Sequence, residues 1–316
     1  MSTYQIIDSS SDVPDVSIAM LAYNHEKYIG EAIESVLMQK TNYKYKIVIA
    51  EDGSKDATRT ILLDYQKKFP DRIRLILQVR NVGAQANNID LLSNLEGKYV
   101  AALEGDDYWI DPLKLQKQID YLEKNPDYGL VFTDADLYYQ NSKKLIKSYD
   151  KTFKRTIPTG NVLPILIEGN PYKTCTAIFR HELIKDIFEE KILNRKGFGD
   201  KSLWMHMASK SKVAYLPDST SVYRVLESSA SHFKNLHDVE HFFEEVYKDS
   251  IDNAKYYNIP IDIKKLRRNY NKAIITYCLV NNKYIDLLSF YKTTDLLIYL
   301  FFKEKIVRPL TTFVAK

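Results

Sequence analysis

The chain has 316 residues, of which 45% are hydrophobic and 27% are charged, and its formal net charge is +4. These totals are typical of a globular protein with a sizeable core, built as one large domain or two modest ones. Its two cysteines, Cys175 and Cys278, are too few for a disulfide framework, which favours a reducing, cytoplasmic setting. The first fifteen residues are polar and acidic, and they do not predict a signal peptide.

The charge is distributed unevenly. Residues 261–316 carry 11 Lys or Arg against 4 Asp or Glu, whereas the preceding 260 residues carry 34 against 37. Because the first 260 residues carry no excess positive charge, the sequence argues against a nucleic-acid enzyme, and we expect no nucleic-acid partner. The longest apolar run of the basic tail, Leu296 to Phe302, is far shorter than the ~20 residues needed to span a bilayer.

Short apolar runs alternate with amphipathic stretches between Val16 and about Asp134. The apolar runs predict four strands, at 16–22, 45–51, 73–78 and 98–104. Stretches with helical spacing follow the first three strands, and a helix entry at Asp111-Pro112 follows the fourth. This alternation predicts right-handed crossovers and a mainly parallel α/β sheet flanked by helices.

The pattern after residue 125 is less regular. It predicts a strand at 128–134, a mobile Lys-rich loop at 140–159, a strand at 174–180, a helix at 202–209 and two edge strands at 213–217 and 221–225. From about Leu236 onward the chain is predicted to be helical. We therefore expect an α/β domain over residues 1–234 and a helical C-terminal region over residues 235–316.

Ligands of such sheets bind at the carboxyl ends of the parallel strands. Polar side chains follow all four predicted strands at these ends: Tyr23 and Asn24, Glu51 and Asp52, Asn81, and Glu104, Asp106 and Asp107. The sequence therefore predicts a polar and acidic ligand site at one edge of the sheet.

The segment EGDDYW (104–109) places three acidic side chains within four positions directly after a strand. Neighbouring carboxylates repel one another unless a cation or solvent offsets their charge, and oxygen ligands suit Mg²⁺ or Mn²⁺. The alternative is a solvated turn that leads into the next helix. EDGSKDAT (51–58) has a similar alternative, a helix entry capped by Ser54 or Asp56 in which Gly53 eases the turn.

Four segments, in this order, resemble successive signatures of family-2 glycosyltransferases: LAYNHEKYIGEAIESVLMQ, EDGSKDATRTIL, NVGAQANN and ALEGDDYWIDPLKLQKQIDYLEKNP. The resemblance covers residues 16 to 225. It implies a GT-A-type fold and an inverting transfer of a sugar from a nucleoside-diphosphate sugar, with UDP-sugar favoured, to an acceptor hydroxyl. It also implies a Mn²⁺ or Mg²⁺ cofactor and a role in the synthesis of cell-surface polysaccharide or glycan.

The resemblance further implies roles for individual residues. The implied nucleotide-binding residues are Ala22, Tyr23, Glu26, Asp52, Asn81, Gly83, Asn87 and Asp106. Asp52 is expected to accept a hydrogen bond from the base. Asp106, Asp107 and Glu104 correspond to the DxD-type metal motif. Because Glu104 stands where the family pattern has Asp, Asp106 is the safer ligand.

The acceptor side carries a separate acidic residue. Asp200, in GFGDKSLWMHMA (197–208), corresponds to the residue that acts as general base in the family, and its alternative role is a helix cap. Weaker matches place Thr174 and Thr176 at the acceptor site and place Arg224 and His232 near the diphosphate.

Two other functions share part of this pattern. A metal-dependent nucleotidyltransferase would carry a Gly-rich basic loop near its first strand, which LAYNHEKYIG lacks. A non-catalytic sugar-nucleotide-binding module would keep Asp52 and could dispense with Asp200. The sequence holds no GxGxxG after the first strand and no GxxxxGK[ST], which argues against a dinucleotide dehydrogenase and a P-loop NTPase.

The basic tail leaves two alternatives open. DLLIYLFFKEKIVRPL (295–310) places Leu296, Leu297, Tyr299, Leu300, Phe301 and Phe302 beside Lys303, Lys305 and Arg308. A helix of this composition would lie on an anionic membrane, giving peripheral contact through residues 292–310 at the cytoplasmic face and suiting a lipid-linked glycan acceptor. Alternatively, these residues pack against the α/β domain or against another subunit.

Overall fold

The computed structural model describes residues 4–188, 199–226 and 236–280. The chain divides into two compact units, Met1–Glu227 and Ser228–Lys316. His232 and the segment 292–310 lie outside the described residues, so the diphosphate role of the first and the membrane contact of the second stay predictions.

The first unit is built on one twisted sheet with helices on its faces. Its strands are β1 Tyr4–Ile7, β2 Val16–Ala22, β3 Tyr45–Glu51, β4 Ile73–Gln78, β5 Tyr99–Ala102, β6 Tyr108–Trp109, β7 Tyr128–Tyr139, β8 Lys144–Ile146, β9 Ile178–Arg180 and β10 Lys212–Val225. Its helices are α1 Ile29–Leu37, α2 Thr58–Lys68, α3 Ala84–Ser93, α4 Lys114–Lys124, α5 Tyr149–Thr152, α6 Leu163–Glu168 and α7 Asp200–Ala208, with 3-10 segments at Thr174–Thr176 and His181–Phe188.

The strands are ordered β1-β4-β3-β2-β5-β9-β7-β10-β6, and β8 pairs with β7. The pairs β4–β3, β3–β2, β2–β5 and β7–β10 are parallel, whereas β1 and β9 run antiparallel to their neighbours. The prediction of a mainly parallel α/β sheet flanked by helices is confirmed, and β2, β3 and β4 have the predicted ends. This arrangement brings the carboxyl ends of β2, β3, β4 and β5 to the same edge.

The core lies between this sheet and its helices. On α1, the apolar residues Ile29, Ala32, Ile33 and Val36 are fully buried at helical spacing. They pack in one cluster with residues of β2, β3 and β5. Leu115, Ile119 and Leu122 of α4, which have helical spacing in the sequence, belong to the same cluster. The strands that carry the polar edge are therefore held by apolar packing beneath it.

Three local predictions were wrong. The segment 174–180 is a 3-10 turn followed by β9, because the Thr176 hydroxyl and amide both bond back to the Lys173 carbonyl instead of joining the ladder. The two predicted edge strands are the single strand β10, which lies between β7 and β6 and shifts register beyond Leu216, next to Pro217. The predicted Lys-rich loop contains β8 and α5.

The second unit contains α8 Leu236–Tyr256 and α9 Ile263–Val280. Tyr247 packs with Leu266 and Tyr270 between the two helices, and the Ser250 and Tyr270 hydroxyls are 2.7 Å apart. Within the described residues, no helix is long and apolar enough to cross a membrane.

Candidate active site

Backbone hydrogen bonds join the loops that leave the parallel strands. The Asp52 amide donates to the Ala22 carbonyl at 3.0 Å, and the Gly105 amide donates to the Leu21 carbonyl at 3.0 Å. These bonds continue the β3–β2–β5 ladders past the strand ends. The loops after β2, β3 and β5 therefore meet at one edge of the sheet.

The loop after β2 is hydrogen bonded to the loop after β3. The Asn24 amide donates to Ser54 Oγ at 3.0 Å, the Glu26 amide donates to Asp56 Oδ2 at 3.1 Å, and the Ala57 amide donates to Glu26 Oε2 at 3.0 Å. Part of the Glu26 carboxylate is thus already engaged. Tyr23 is 37% exposed on the same loop, where its ring is accessible to a ligand, and Ala22 is buried at the end of β2.

Asp52 organises the loop after β4. Its carboxylate is buried and accepts three hydrogen bonds, from Asn81 Nδ2 at 3.0 Å, the Val82 amide at 2.7 Å and the Gly83 amide at 3.1 Å. A carboxylate has about four acceptor positions, so little capacity remains for a base. Asp52 therefore fixes the backbone of the loop after β4, a contact that its sequence position did not reveal.

Asn87 supports the same loop from within α3. Its side chain is buried, Nδ2 donates to the Ala50 carbonyl at 3.0 Å, and Oδ1 accepts from Gln78 Nε2 at 3.3 Å. Because both ends of the amide are bonded inside the protein, Asn87 lies behind the edge and not on it. We leave it out of the direct nucleotide contacts.

The loop after β5 contains Glu104, Asp106 and Asp107 and is called the acidic loop here. The negative charge of its carboxylates is poorly offset by neighbouring groups. Glu104 Oε2 is buried and has no hydrogen-bond partner among the described residues, and Asp107 is 2% exposed. Burial, and then repulsion from neighbouring carboxylates, raises the pKa of both groups. Asp106 is partly exposed between them. This concentration of buried negative charge suits a bound cation.

The loop does not form a complete metal cage by itself. Among the described parts of the chain, no three Asp, Glu, His or Cys side chains converge as a preformed site. Mg²⁺ is commonly held by one or two carboxylates together with water and substrate phosphates, so an incomplete cage fits that ion when a diphosphate supplies further ligands. The unpaired Glu104 oxygen and the partly exposed Asp106 carboxylate are consistent with this arrangement.

His25 packs against the acidic loop. It was not among the site residues predicted from the sequence. Its Nδ1 atom is buried without a hydrogen-bond partner among the described residues, and it would lie 2.8 Å from a Cβ placed on Gly105. Burial lowers the pKa of His25, opposed by the charges of Asp106 and Asp56. A side chain at position 105 would have to displace the imidazole and Ile29, because a Cβ there would lie 2.8 Å from each and 3.0 Å from the Leu21 carbonyl oxygen.

Arg224 holds the acidic loop from β10. Its amide donates to Asp107 Oδ1 at 2.7 Å, and its buried guanidinium donates to the Asp106 carbonyl at 2.7 Å, to Gln140 Oε1 at 2.8 Å and to Glu31 Oε2 at 2.5 Å. Three tyrosine rings surround the guanidinium at 4.8–5.6 Å: Tyr28, Tyr108 and Tyr138. A diphosphate contact would require Arg224 to leave these bonds, so in this structure it positions the loop.

Two of the residues predicted for the acceptor side, Thr174 and Asp200, are in direct contact. Asp200 is the first residue of α7 and is exposed, and its Oδ2 accepts a hydrogen bond from the Thr174 hydroxyl at 2.6 Å. The negative charge of Asp200 also contributes to the raised pKa of Glu104, which places it near the acidic loop. Thr176, in contrast, is fully buried, and we leave it out of the proposed acceptor contacts.

Buried side chains donate hydrogen bonds to the backbone carbonyls of the Thr174–Thr176 turn and hold it in place. The Cys175 carbonyl accepts from Trp109 Nε1 at 3.0 Å and from Ser221 Oγ at 2.9 Å. The Thr176 carbonyl accepts from Lys114 Nζ at 2.8 Å and from Gln118 Nε2 at 2.9 Å. Lys114 is fully buried, and desolvation lowers its pKa to about 7. Burial raises the pKa of the Cys175 thiol, so it is no nucleophile.

Comparisons with known proteins give similar relatives and similar folds. An uncharacterised protein of Mycobacterium tuberculosis is 32% identical over 209 residues, 66% of this chain, and the match spans only 58% of that relative. The putative teichuronic acid biosynthesis glycosyltransferase TuaG of Bacillus subtilis is 29% identical, over 69% of this chain and 82% of its own length. The putative glycosyltransferase EpsE of the same organism is 28% identical, over 76% and 80%.

Two solved structures share the fold at low sequence identity. Staphylococcus aureus TarS 1-349 in complex with UDP has a TM-score of 0.54 and 18% identity, covering 80% of this chain and 68% of its own. The mannosyltransferase PcManGT from Pyrobaculum calidifontis, in complex with GDP-Man and Mn²⁺, has a TM-score of 0.57 and 16% identity, covering 96% and 84%. At these identities the likeness concerns the fold alone.

The family model described as glycosyl transferase family 2 matches residues 17–188, from β2 through the acidic loop to the 3-10 segment His181–Phe188. Because this match covers more than half of the chain, the chain belongs to glycosyl transferase family 2.

Proposed function

We propose that this protein transfers a sugar from a nucleoside-diphosphate sugar, preferably a UDP-sugar, to an acceptor hydroxyl during synthesis of a cell-surface polysaccharide or glycan. One observation carries the proposal. The acidic loop, with its buried unpaired Glu104 oxygen, lies at the sheet edge where the Asp52-bonded loop and the Thr174–Asp200 pair also lie. TarS was solved in complex with UDP and with UDP-GlcNAc, and PcManGT in complex with GDP-Man and Mn²⁺, which supports the donor class.

On the donor side, the loops after β2 and β4 form the nucleotide pocket. Tyr23 offers an exposed ring to the base, and Asp52 holds the Asn81–Gly83 segment that faces the nucleotide. Asp106, with Glu104 or Asp107, would hold a Mn²⁺ or Mg²⁺ ion that offsets the charge developing on the diphosphate leaving group. Arg224 keeps these carboxylates in place through the Asp106 carbonyl and Asp107 Oδ1.

On the acceptor side, Asp200 is the general base. Its carboxylate takes the proton of the acceptor hydroxyl while that oxygen attacks the anomeric carbon, and the bond to the diphosphate breaks with its electron pair leaving on the diphosphate. Thr174 orients the carboxylate through the hydrogen bond to Oδ2. One base opposite the leaving group gives a single displacement, so the anomeric configuration inverts.

The pairing of Thr174 with Asp200 favours an enzyme over a sugar-nucleotide-binding module. Such a module needs the nucleotide pocket but has no use for a second, exposed carboxylate held near the acidic loop. A nucleotidyltransferase would need a basic loop after its first strand, and residues 23–28 carry one lysine and one glutamate there.

A thermal-shift screen tests the donor and the metal together. UDP-sugars and GDP-sugars are added to the full chain with and without Mn²⁺, since a ligand that binds only the native state raises Tm. We expect a metal-dependent rise with at least one donor, lost in Asp106→Ala and kept in the surface control Asp71→Ala. A rise that survives in chelator and in Asp106→Ala would contradict the metal assignment, and no rise with any donor would contradict the function.

A further inference from the structure

A basic segment that contains β8 and α5 leads into the region before α6. Ser142–Arg155 contains six Lys or Arg and one acidic residue, Asp150, which is buried and paired with Arg155 at 2.6 Å. Four of the cations are exposed and form no ion pair with the described residues: Lys143, Lys147, Lys151 and Lys154. The segment therefore presents a net positive charge that the described part of the protein leaves uncompensated.

Buried carboxylates of β7 hold this segment in place. Asp136 Oδ1 accepts from the Ser148 amide at 2.8 Å, and Asp134 accepts from the Asp150 amide at 2.9 Å and from the Lys151 amide at 3.2 Å. Asp134 and Asp136 are almost completely buried. The lysines are thus presented from an anchored backbone, where their positions are set by the sheet.

The same segment contacts the acceptor-side turn. Lys173 Nζ lies 4.7 Å from the centre of the Tyr149 ring, and the Arg155 guanidinium lies 5.4 Å from that ring. Lys173 directly precedes Thr174, whose hydroxyl bonds to Asp200. Lys173 is partly buried, and among the described residues no carboxylate forms an ion pair with it. Burial lowers the pKa of Lys173, and the charges of Asp150 and Asp134 oppose this effect without direct contact. A partly desolvated cation with no carboxylate in direct contact favours an incoming negative group.

We propose that Lys173 and the basic segment 142–155 bind an anionic glycan acceptor, a chain that carries carboxylate or phosphate groups, and guide its terminal hydroxyl to Asp200. This inference rests on the proposed function, because it takes the Thr174–Asp200 side as the acceptor side. Exposed cations spread over fourteen residues exceed what one donor diphosphate would need. The partial burial of Lys173 beside the turn favours a ligand that enters the site over a flat membrane surface.

Binding of defined polyanions tests the proposal. Fluorescent polygalacturonate oligosaccharides, inorganic polyphosphate and neutral dextran are titrated with the full chain at several salt concentrations. We expect the two anionic probes to bind with an affinity that falls as salt rises, and dextran not to bind. The combined change Lys147→Glu, Lys151→Glu and Lys154→Glu should weaken polyanion binding about tenfold or more, and Lys173→Met should weaken it as well.

A matched control separates the segment from overall charge. Lys67→Glu, Lys68→Glu and Lys124→Glu together change the net charge equally on exposed parts of α2 and α4, and this triple variant should bind nearly as the wild type does. Equal weakening in both triple variants would overturn the proposal, because net charge alone would then explain the binding. Segment-dependent binding to phosphatidylglycerol vesicles without binding to either polyanion would also overturn it, in favour of a membrane surface.

Donor binding is measured on the same samples. Lys173→Met and the segment variant should keep the metal-dependent rise in Tm that the donor sugar produces, because neither change touches the nucleotide pocket. If the wild type shows polyanion binding at the segment but no donor-induced rise, the proposed function fails while the binding surface itself stands. If the donor raises Tm and no polyanion binds, only the acceptor proposal fails.

Discussion

The Asp200 carboxylate is the residue on which the proposed chemistry depends most. It is exposed, begins α7, and is held by one side-chain hydrogen bond from Thr174. The N-cap of α7 is Gly199, so Asp200 does not cap the helix. Its hydrogen bond from Thr174 and its electrostatic effect on Glu104 place the carboxylate near the acidic loop.

Asp200→Asn separates the catalytic role from a structural one. Asparagine keeps the size of aspartate and an oxygen that accepts the Thr174 hydrogen bond, but it cannot take a proton, so we expect transfer to fall by about 100-fold or more while donor binding is retained. Transfer is followed with the best donor of the thermal-shift screen, and donor affinity is measured separately. A parallel loss of donor binding and transfer would instead make Asp200 a structural or donor-binding residue.

Several side chains have partners that their sequence positions do not reveal. Asp52 follows β3 as a ligand residue would, but its oxygens bind the Val82 and Gly83 amides. The sequence motif predicts that Arg224 binds the diphosphate, but three tyrosine rings surround its guanidinium. A motif specifies which residue types are present at a strand end, whereas the hydrogen-bond partner depends on which loop folds over it.

At the scale of elements, the site is set by the turns that follow β3 and β5. Gly53 has φ +65°, and a Cβ at this position would lie 2.6 Å from the Arg80 carbonyl carbon and from the Asn81 nitrogen. The β3 turn therefore packs backbone to backbone against the loop that Asp52 holds. Only a residue without a side chain allows this contact.

Gly53→Ala should disturb both stability and donor binding. The positive φ alone costs about 1–2 kcal/mol for alanine, and displacement of the Arg80–Asn81 backbone adds to that cost. Gly160→Ala is the matched control, because Gly160 has φ +87° but nothing within 4 Å of its Cβ position. Urea unfolding should show a larger loss for Gly53→Ala, and the donor-induced rise in Tm should shrink only there. Equal losses in the two variants would show that the close contact is unimportant.

At the scale of the molecule, one buried cation links the site to overall stability. Lys114 is fully buried under the Thr174–Thr176 turn, and its pKa is lowered from 10.5 to about 7. Between these two values the unfolded chain keeps a proton on this group that the folded protein releases. Unfolding therefore takes up a proton, and this group adds stability as the pH rises through that window.

Replacing Lys114 by Met removes this dependence. The wild type should gain free energy of unfolding relative to Lys114→Met between about pH 7 and about pH 9, as measured by urea unfolding at each pH. The exposed control Lys124→Met should keep the dependence of the wild type. If the stabilities of wild type and Lys114→Met run parallel over this range, the lysine does not change its protonation there.

The sequence by itself determined the architecture and the position of the site. Burial on both faces of a parallel sheet produces short continuous apolar runs, and these runs located β2, β3 and β4 with their observed ends. Because ligands bind at the carboxyl ends of such strands, the same pattern placed Asp52, Asn81 and the acidic loop at one edge. These features depend on local spacing and apolar burial, which a linear sequence contains.

Only the tertiary structure decided which groups meet across that edge. A lysine at a helix start is usually exposed, yet Lys114 lies buried beneath a turn 60 residues away along the chain. The 3-10 turn at Thr174, the continuous strand β10 and the contact between Lys173 and Tyr149 likewise depend on long-range partners. Hydrogen bonding and burial are properties of the folded neighbourhood, so residue types and spacing cannot specify them.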